Sequence, residues 1–183
     1  CLTIQDEPRF AYRGFMLDVS RHFFTVEEVK QVLDIMSVYK MNRFHWHLTD
    51  DQGWRIEIKK YPKLTEVGSV SKDMLMNNET QTKYWNGKPY GPYFYTQDDV
   101  REIVQYAAER HIEVIPEVDM PGHMMAAMAA YPEFSCQPER TYEVWTQNLG
   151  LSVDILNVGN PKAVQFARDV VEELCQLFPG PDI

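Results

Sequence analysis

The chain has 183 residues, of which 44% are hydrophobic, enough for one well-buried domain and too few for two large ones. Its formal net charge of −9 argues against a nucleic-acid backbone or an anionic membrane as partner. No apolar run approaches the length of about eighteen residues that a membrane span requires. The three cysteines, Cys1, Cys136 and Cys175, lack metal-ligand spacing and allow at most one disulfide, so free thiols are predicted.

The first predicted element is a strand from Phe10 to Ser20. Its near-continuous apolar run is typical of a strand that is buried on both faces. Arg13 and Asp18 interrupt the run, and a charge in a buried strand is costly unless it is paired or used. Both are therefore candidate site residues, with a structural ion pair as the alternative for each.

A helix is predicted next. Thr25 to Glu28 have the capping-box pattern, and apolar residues recur at helical spacing as far as Lys40. A second strand follows, so strand, helix and strand are joined by short links. This order predicts a βα unit and a parallel sheet.

The second strand runs into a cluster of carboxylates between Phe44 and Trp54. Side chains alternate across a strand, so Phe44, Trp46 and Leu48 share one face while His45 and His47 share the other. Two imidazoles that lead into Asp50 and Asp51 predict a functional site. The alternative is a buried histidine pair followed by a capped turn.

A long mixed segment extends from Gln52 to Tyr95. Trp54 to Ile58 is predicted to form a short alternating strand. The polar stretch from Ser69 to Gly91 predicts a functional or mobile loop, of the kind that barrels carry between a strand and the next helix. Its turn-forming residues include Asn77, Asn78, Asn86 and Gly87.

Thr96 caps the next predicted helix, where Thr96 to Asp99 resemble another capping box, and Ile112 to Val118 form the third predicted strand. This strand runs into Asp119 and His123, so a carboxylate and an imidazole again follow a strand. Parallel α/β folds bind ligands at those strand ends. A tight turn at Pro121 and Gly122 is predicted to aim His123 back over the sheet.

Two further helices are predicted in the last third of the chain. The apolar stretch from Met124 to Tyr131 favours a packed helix. Asn160 and Pro161 start another helix that runs to Phe178, with asparagine as N-cap and proline at the first helical position. The pattern leaves Trp145 open between a core residue and a wall of the site.

Four motifs, considered together, resemble glycoside hydrolase family 20, the β-N-acetylhexosaminidases. They are Tyr12–Asp18, Arg21–Phe23, His45–Arg55 and Pro116–His123, and Asn157–Pro161 resembles the segment before the family's fourth barrel strand. The resemblance implies an α/β fold of the (β/α)₈ TIM-barrel type. A whole barrel takes about 250 residues, so residues 1–183 are expected to be its amino-terminal portion, with the first three to four βα units.

The resemblance also implies a reaction. Family members remove terminal β-linked N-acetylglucosamine or N-acetylgalactosamine by substrate-assisted retaining catalysis, in which the 2-acetamido oxygen of the sugar attacks the anomeric carbon. The aspartate–glutamate pair that assists this step lies in a His-x-Gly-Gly-Asp-Glu motif on the fourth barrel strand. That motif is absent from the sequence, so no catalytic residue is assigned and the isolated chain is expected to be inactive.

Several residues match supporting positions of the family site. Asp50 and His123 match a pair in which the aspartate accepts from the imidazole, and Asp119 matches a nearby carboxylate that acts by electrostatics and hydrogen bonding. Arg13 matches the arginine that binds the hydroxyls of the terminal sugar, although the residues alone would favour Asp18 or Arg21 for that reach. Further support from behind these residues is expected of Asp18, His47 and Asp51.

The expected partner is a glycan or glycoconjugate with a terminal N-acetylhexosamine, and no cofactor or metal is expected. One alternative is a metal-dependent barrel hydrolase that uses His45, His47, Asp119 and His123 as ligands. Another is an N-acetylhexosamine-binding module without catalysis. Two exposed parallel edges predict that the remainder of the barrel, or self-association, covers them. Family members are usually exported (periplasmic, cell-surface or secreted) or lysosomal, and the sequence itself leaves the compartment open.

Overall fold

The computed structural model describes residues 2–72, 88–146 and 152–182. Its elements in chain order are β1 (Gly14–Asp18), α1 (Val26–Val38), β2 (Arg43–Asp50), β3 (Gly53–Trp54), α2 (Lys63–Glu66), α3 (Gln97–Ala108), β4 (Glu113–Val118), α4 (Met125–Ala130), a 3₁₀ turn (Pro132–Phe134) and α5 (Pro161–Leu177). Outside the described residues lie Cys1, Asn77, Asn78, Asn86, Gly87 and Ile183. Within the described ranges, every helix is too short or too polar to cross a membrane.

The sheet is built around β2, which pairs in parallel with β1 on one side and with β4 on the other. β4 is thus the third parallel strand, and α1 and α3 make the crossovers between the strands. The two-residue strand β3 turns back and pairs antiparallel with the end of β2. The predicted parallel βα order is confirmed. In the part of the chain that the structure describes, β1 and β4 each have one strand neighbour.

Both predicted capping boxes are present. The Thr25 hydroxyl accepts from the Glu28 amide at 3.3 Å, and the Glu28 carboxylate accepts from the Thr25 amide at 2.7 Å. Thr96 and Asp99 make the same reciprocal pair at 3.1 and 2.8 Å. Each box satisfies two amide groups that have no partner inside the helix, which is why α1 and α3 begin where they do.

The two faces of β2 have different neighbours. Phe44, Trp46 and Leu48 are buried on the face that the helical layer covers. The Trp46 ring lies 4.7 Å from the Tyr95 ring and 6.5 Å from the ring of Phe178, at the end of α5. This packing leaves His45 and His47 on the inner face of the sheet, as the alternation predicted.

In two places the predicted strand is longer than the observed one. Only Gly14–Asp18 of the predicted Phe10–Ser20 strand pairs with β2, and Phe15 and Met16 remain 44% and 51% exposed because β1 has no described neighbour on its outer side. In the predicted strand from Trp54 to Ile58, Trp54 belongs to β3 and Ile56 forms a single bridge with Tyr95. The unpredicted helix α2 is only four residues long, too short to show a periodic pattern.

A buried carboxylate joins α5 to the rest of the fold. Glu173, 7% exposed, accepts from the Lys59 and Lys60 amides at 2.8 and 3.0 Å and from Gln97 Nε2 at 2.7 Å. We expect Glu173→Ala to lower the free energy of unfolding by about 2–4 kcal/mol, because buried donors would lose a charged acceptor. Urea denaturation measures the change.

The neighbouring substitution Glu172→Ala is the matched control. Glu172 is exposed and pairs only with Lys60 in the described contacts, and exposed ion pairs contribute about 0–1 kcal/mol. Equal losses for the two variants would show that Glu173 is not a special anchor.

Candidate active site

The inner face of the sheet brings three titratable side chains into one row. The register pairs Asp18 with His47 across β1 and β2, and His47 with Glu117 across β2 and β4. Asp50 lies three residues after His47, at the carboxyl end of β2. Because parallel strands end at the same edge of a sheet, the polar residues that the sequence placed after separate strands meet here.

Asp50 is the centre of the site. Its Oδ1 accepts from His123 Nδ1 at 2.9 Å and from the Asp51 amide at 2.7 Å. Its Oδ2 lies 2.9 Å from His47 Nε2 and 2.7 Å from Arg21 Nη2. Burial alone would raise the pKa of Asp50, but the hydrogen bonds from both histidines and from the Asp51 amide, with the charge of Arg21, hold that pKa below its usual value.

His123 reaches Asp50 from a strained turn. The residue has a φ of +58°, a left-handed conformation that costs a non-glycine residue about 1–3 kcal/mol. The turn is held by a 2.9 Å hydrogen bond from the Leu156 amide to the Pro121 carbonyl. The ring therefore points back over the sheet as predicted, and the predicted contact between Asp50 and His123 is present.

His47 bridges two carboxylates. Its Nδ1 lies 2.8 Å from Glu117 Oε2, and its Nε2 lies 2.9 Å from Asp50 Oδ2. An ionised carboxylate only accepts, so both ring nitrogens carry protons in this arrangement. Burial alone would lower the pKa of His47, but the hydrogen bonds to Asp50 and Glu117 outweigh it and raise the pKa to about 9.

The pKa values of Glu117 and Asp119 are shifted in opposite directions. Burial alone would raise the pKa of Glu117, but the hydrogen bond to His47 and the charges of His47 and His45 hold it below its usual value. Burial and the hydrogen-bonded Glu117 carboxylate raise the pKa of Asp119. A neighbouring carboxylate disfavours the ionised form, so Asp119 is the easier of the two groups to protonate. Glu117 was not among the predicted site residues, although its pairing with His47 places it on the inner face.

Asp51 lies beside this network and organises the loops after β4. Its carboxylate accepts from the Met125 amide at 3.1 Å and from the Ser152 amide at 2.8 Å, and its carbonyl accepts from the Trp145 amide at 2.9 Å. These bonds tie the start of α4, next to His123, to the end of β2. Trp145 is half-buried beside them.

The expectation for Arg13 is corrected by its position. Arg13 precedes β1, and its guanidinium donates to the carbonyls of Phe10, Ala11 and Lys40. It therefore lies at the amino-terminal end of the sheet, whereas Asp50 and His123 lie at the carboxyl end. A side chain at the amino-terminal end of β1 cannot reach that edge of the sheet.

Arg21 occupies the place that Arg13 was expected to take. It follows β1, and its guanidinium donates to Asp18 Oδ2 at 2.8 Å, Asp50 Oδ2 at 2.7 Å and Gln52 Oε1 at 2.8 Å. Asp18 is itself fixed, since its Oδ1 accepts from the Ser20 and Arg21 amides at 3.0 Å each. The signal in the sequence was an arginine directly after a strand end.

The metal alternative receives little support from the geometry. Donor atoms of His47, Glu117 and Asp119 lie within 4.8 Å of one another, and those of Asp50, Asp51 and His123 form a second such group. The alternative instead required His45, His47, Asp119 and His123 to converge on one ion. Both nitrogens of His47 already contact carboxylates, which favours a hydrogen-bonded network.

Comparison with known proteins decides the family. The family model described as glycosyl hydrolase family 20, catalytic domain, matches residues 10–183. The chain belongs to this family. A β-hexosaminidase of Porphyromonas gingivalis is 52% identical over 181 residues, which cover 98% of this chain and 21% of that protein.

Solved structures agree with the family. A β-N-acetylhexosaminidase structure superimposes with a TM-score of 0.85 at 41% identity, covering 95% of this chain and 35% of that one. A variant Streptomyces plicatus β-hexosaminidase in complex with the product GlcNAc gives 0.81 at 43% identity, with coverage of 94% and 32%. The chain thus spans about a fifth to a third of these proteins. Its fold is part of a (β/α)₈ barrel, which confirms the predicted fold class.

Proposed function

We propose that residues 1–183 are the amino-terminal portion of a β-N-acetylhexosaminidase barrel. The complete protein would hydrolyse terminal β-linked N-acetylglucosamine or N-acetylgalactosamine by substrate-assisted retaining catalysis. Its partner would be a glycan or glycoconjugate with such a terminus. The observation that carries the proposal is the Asp50–His123 pair, held at the carboxyl end of the sheet in a member of family 20.

The pair fits a role in supporting a general acid. Asp50 accepts from Nδ1 of His123, so that proton stays on Nδ1, and the His123 side chain remains 31% exposed. A carboxylate that fixes the tautomer of an imidazole also tunes the acid that the imidazole contacts. The proposed contact is the glutamate of the Gly-Gly-Asp-Glu motif, which this sequence does not contain.

Arg21, rather than Arg13, is proposed to bind the sugar hydroxyls. The guanidinium carries five N–H donors in a planar fork, a geometry that suits two adjacent hydroxyls. Three acceptors already orient it at the strand ends, and it keeps further donors for a ligand. Asp18 would hold the guanidinium in place from behind.

The first test compares the 183-residue chain with the full-length gene product on a chromogenic N-acetyl-β-glucosaminide. We expect turnover by the full-length product and negligible turnover by the chain, since general acid catalysis needs a group within hydrogen-bond reach of the leaving oxygen. Turnover by the short chain would contradict the proposal. Inactivity of both forms, with retained affinity for N-acetylglucosamine, would instead support the non-catalytic binding module.

The second test exchanges the two arginines for lysine in the full-length product. Arg21→Lys is expected to lower kcat/KM by about 10–100-fold, because charge-assisted hydrogen bonds to the sugar and to Asp50 are lost. Arg13→Lys is expected to remain within about threefold of wild type, because its partners are backbone carbonyls at the far end of β1. The reverse order of effects would restore Arg13 as the sugar ligand.

A further inference from the structure

His47 lies in the middle of the site, between Asp50 and Glu117. Its side chain is 5% exposed and occupies the middle of the row that Asp18 and Glu117 complete. Each ring nitrogen is within hydrogen-bond distance of a different carboxylate. One ring thus connects the Asp50 cluster to the Glu117–Asp119 pair.

The hydrogen bonds of Asp50 make its orientation depend on this ring. A carboxylate offers about four acceptor positions, and Asp50 has four donors within 2.9 Å, namely Asp51 N, His123 Nδ1, Arg21 Nη2 and His47 Nε2. His123 and the Asp51 amide share Oδ1, while His47 and Arg21 share Oδ2. Loss of one Oδ2 donor frees the carboxylate to turn, and His123 depends on the other oxygen.

We propose that His47 is a positioning residue of the hexosaminidase site, acting on His123 through the Asp50 carboxylate while it holds Glu117 against Asp119. The inference rests on the proposed function, since His123 supports the acid of that reaction. The His47 ring orients the Asp50 carboxylate through one hydrogen bond, and Asp50 orients the His123 ring through another.

The charges around His47 fit a cationic ring. Asp50 and Glu117 contact it directly, with Asp18 beside it on β1, and Asp119 lies next to Glu117. The basic neighbours are Arg21, whose Nη1 lies 3.3 Å from His47 Nε2, and His45, which also contacts Glu117. Asp18 accepts from that same Nη1 at 2.8 Å, so the guanidinium charge beside the ring is offset.

Two amide substitutions separate the two contacts. Asparagine places its side-chain NH₂ near the position of Nδ1 and so retains a donor for Glu117, whereas glutamine reaches the position of Nε2 and retains a donor for Asp50. In the full-length product we expect His47→Asn to lower kcat by about 10-fold or more at nearly constant KM, as for other partners that orient an imidazole. His47→Gln should retain more of the wild-type kcat.

His111→Asn is the matched control, because His111 lies in the turn before β4, at the opposite end of the sheet, and is exposed. Its φ of +58° is a conformation that asparagine tolerates. We expect wild-type kinetics for it. The inference is overturned if His47→Asn keeps the wild-type kcat. It is also overturned if His47→Asn and His47→Gln lose activity equally, because the hydrogen bond between residue 47 and Asp50 then has no effect on kcat.

Nitrogen-15 NMR of the wild-type chain keeps the inference testable even if a variant does not fold. The chain has five histidines, so their ring signals can be assigned individually. We expect protons on both ring nitrogens of His47 at pH 7.5 and a proton on Nδ1 of His123. A singly protonated His47 at that pH would overturn the inference whether or not the full-length product is a hexosaminidase. Failure of the wild-type enzyme to turn over the glycoside would contradict only the proposed function.

Discussion

Replacing Asp50 with asparagine in the full-length product is expected to lower kcat by about 10²–10⁴-fold, because an isosteric amide cannot keep the imidazole partner in the same tautomer. Asp50 accepts on both oxygens, whereas asparagine has one acceptor oxygen and must turn an NH₂ group toward one pair of donors. If the NH₂ faces His123, the ring must accept through Nδ1 and its Nε2 becomes a donor. If it faces Arg21 and His47, the partly buried guanidinium and the buried imidazole lose their acceptor.

Initial-rate kinetics on a chromogenic N-acetyl-β-glucosaminide measure this effect, at a temperature where circular dichroism shows the variant to be folded. Asp34→Asn is the control, since Asp34 lies on α1 and accepts from Tyr106 and Arg110 on the helical layer. We expect it to stay within about twofold of wild type. A turnover for Asp50→Asn within tenfold of wild type would remove Asp50 from the supporting role.

Replacing Arg55 with methionine is expected to lower the free energy of unfolding by about 3–5 kcal/mol. Arg55 is 1% exposed, and its guanidinium donates to the carbonyls of Ser69 at 2.9 Å, Tyr93 at 3.1 Å and Ser20 at 2.9 Å. Burial lowers the pKa of Arg55 to about 10, with no carboxylate in direct contact among the described residues. Methionine fills the volume of the aliphatic part of the Arg55 side chain but leaves these buried carbonyls without their donor.

The same guanidinium explains a glycine in the hairpin. A Cβ at Gly53 would lie 2.3 Å from Arg55 Cζ, so a side chain there would displace the buried charge. Urea denaturation measures the effect of Arg55→Met, and Arg101→Met on the exposed face of α3 is the control. Arg101 pairs with the exposed Asp98, a type of pair that contributes about 0–1 kcal/mol. Equal effects of both substitutions would show that water replaces Arg55 without cost.

Local patterns were enough to predict the elements that carry the site. A capping box needs only four consecutive residues, so Thr25 and Thr96 marked their helix starts without tertiary information. Alternation separated the helix-facing Trp46 from the inward His47, because side-chain direction in a strand has a period of two. The strand-end rule also predicts that Asp50 and His123 lie at one edge of the sheet.

Arg13 and Arg21 show what local sequence patterns do not predict, namely which of the two lies in the site. The family motif favoured Arg13, while the strand-end rule favoured Arg21, and sequence spacing does not decide between them. The parallel register does, because Arg13 precedes β1 and Arg21 follows it. A guanidinium reaches Asp50 only from the carboxyl end.

The sequence by itself thus determined the parallel βα order, the helix starts, the family and the carboxylates and imidazoles at the strand ends. Only the tertiary structure decided which of these groups share a hydrogen bond: that His47 bridges Asp50 and Glu117, and that Glu173 accepts from Lys59, 114 residues away in the chain. The physical reason is the separation along the sequence over which each interaction acts. Capping and alternation act between near neighbours, whereas a buried carboxylate is satisfied by whichever donors packing brings to it.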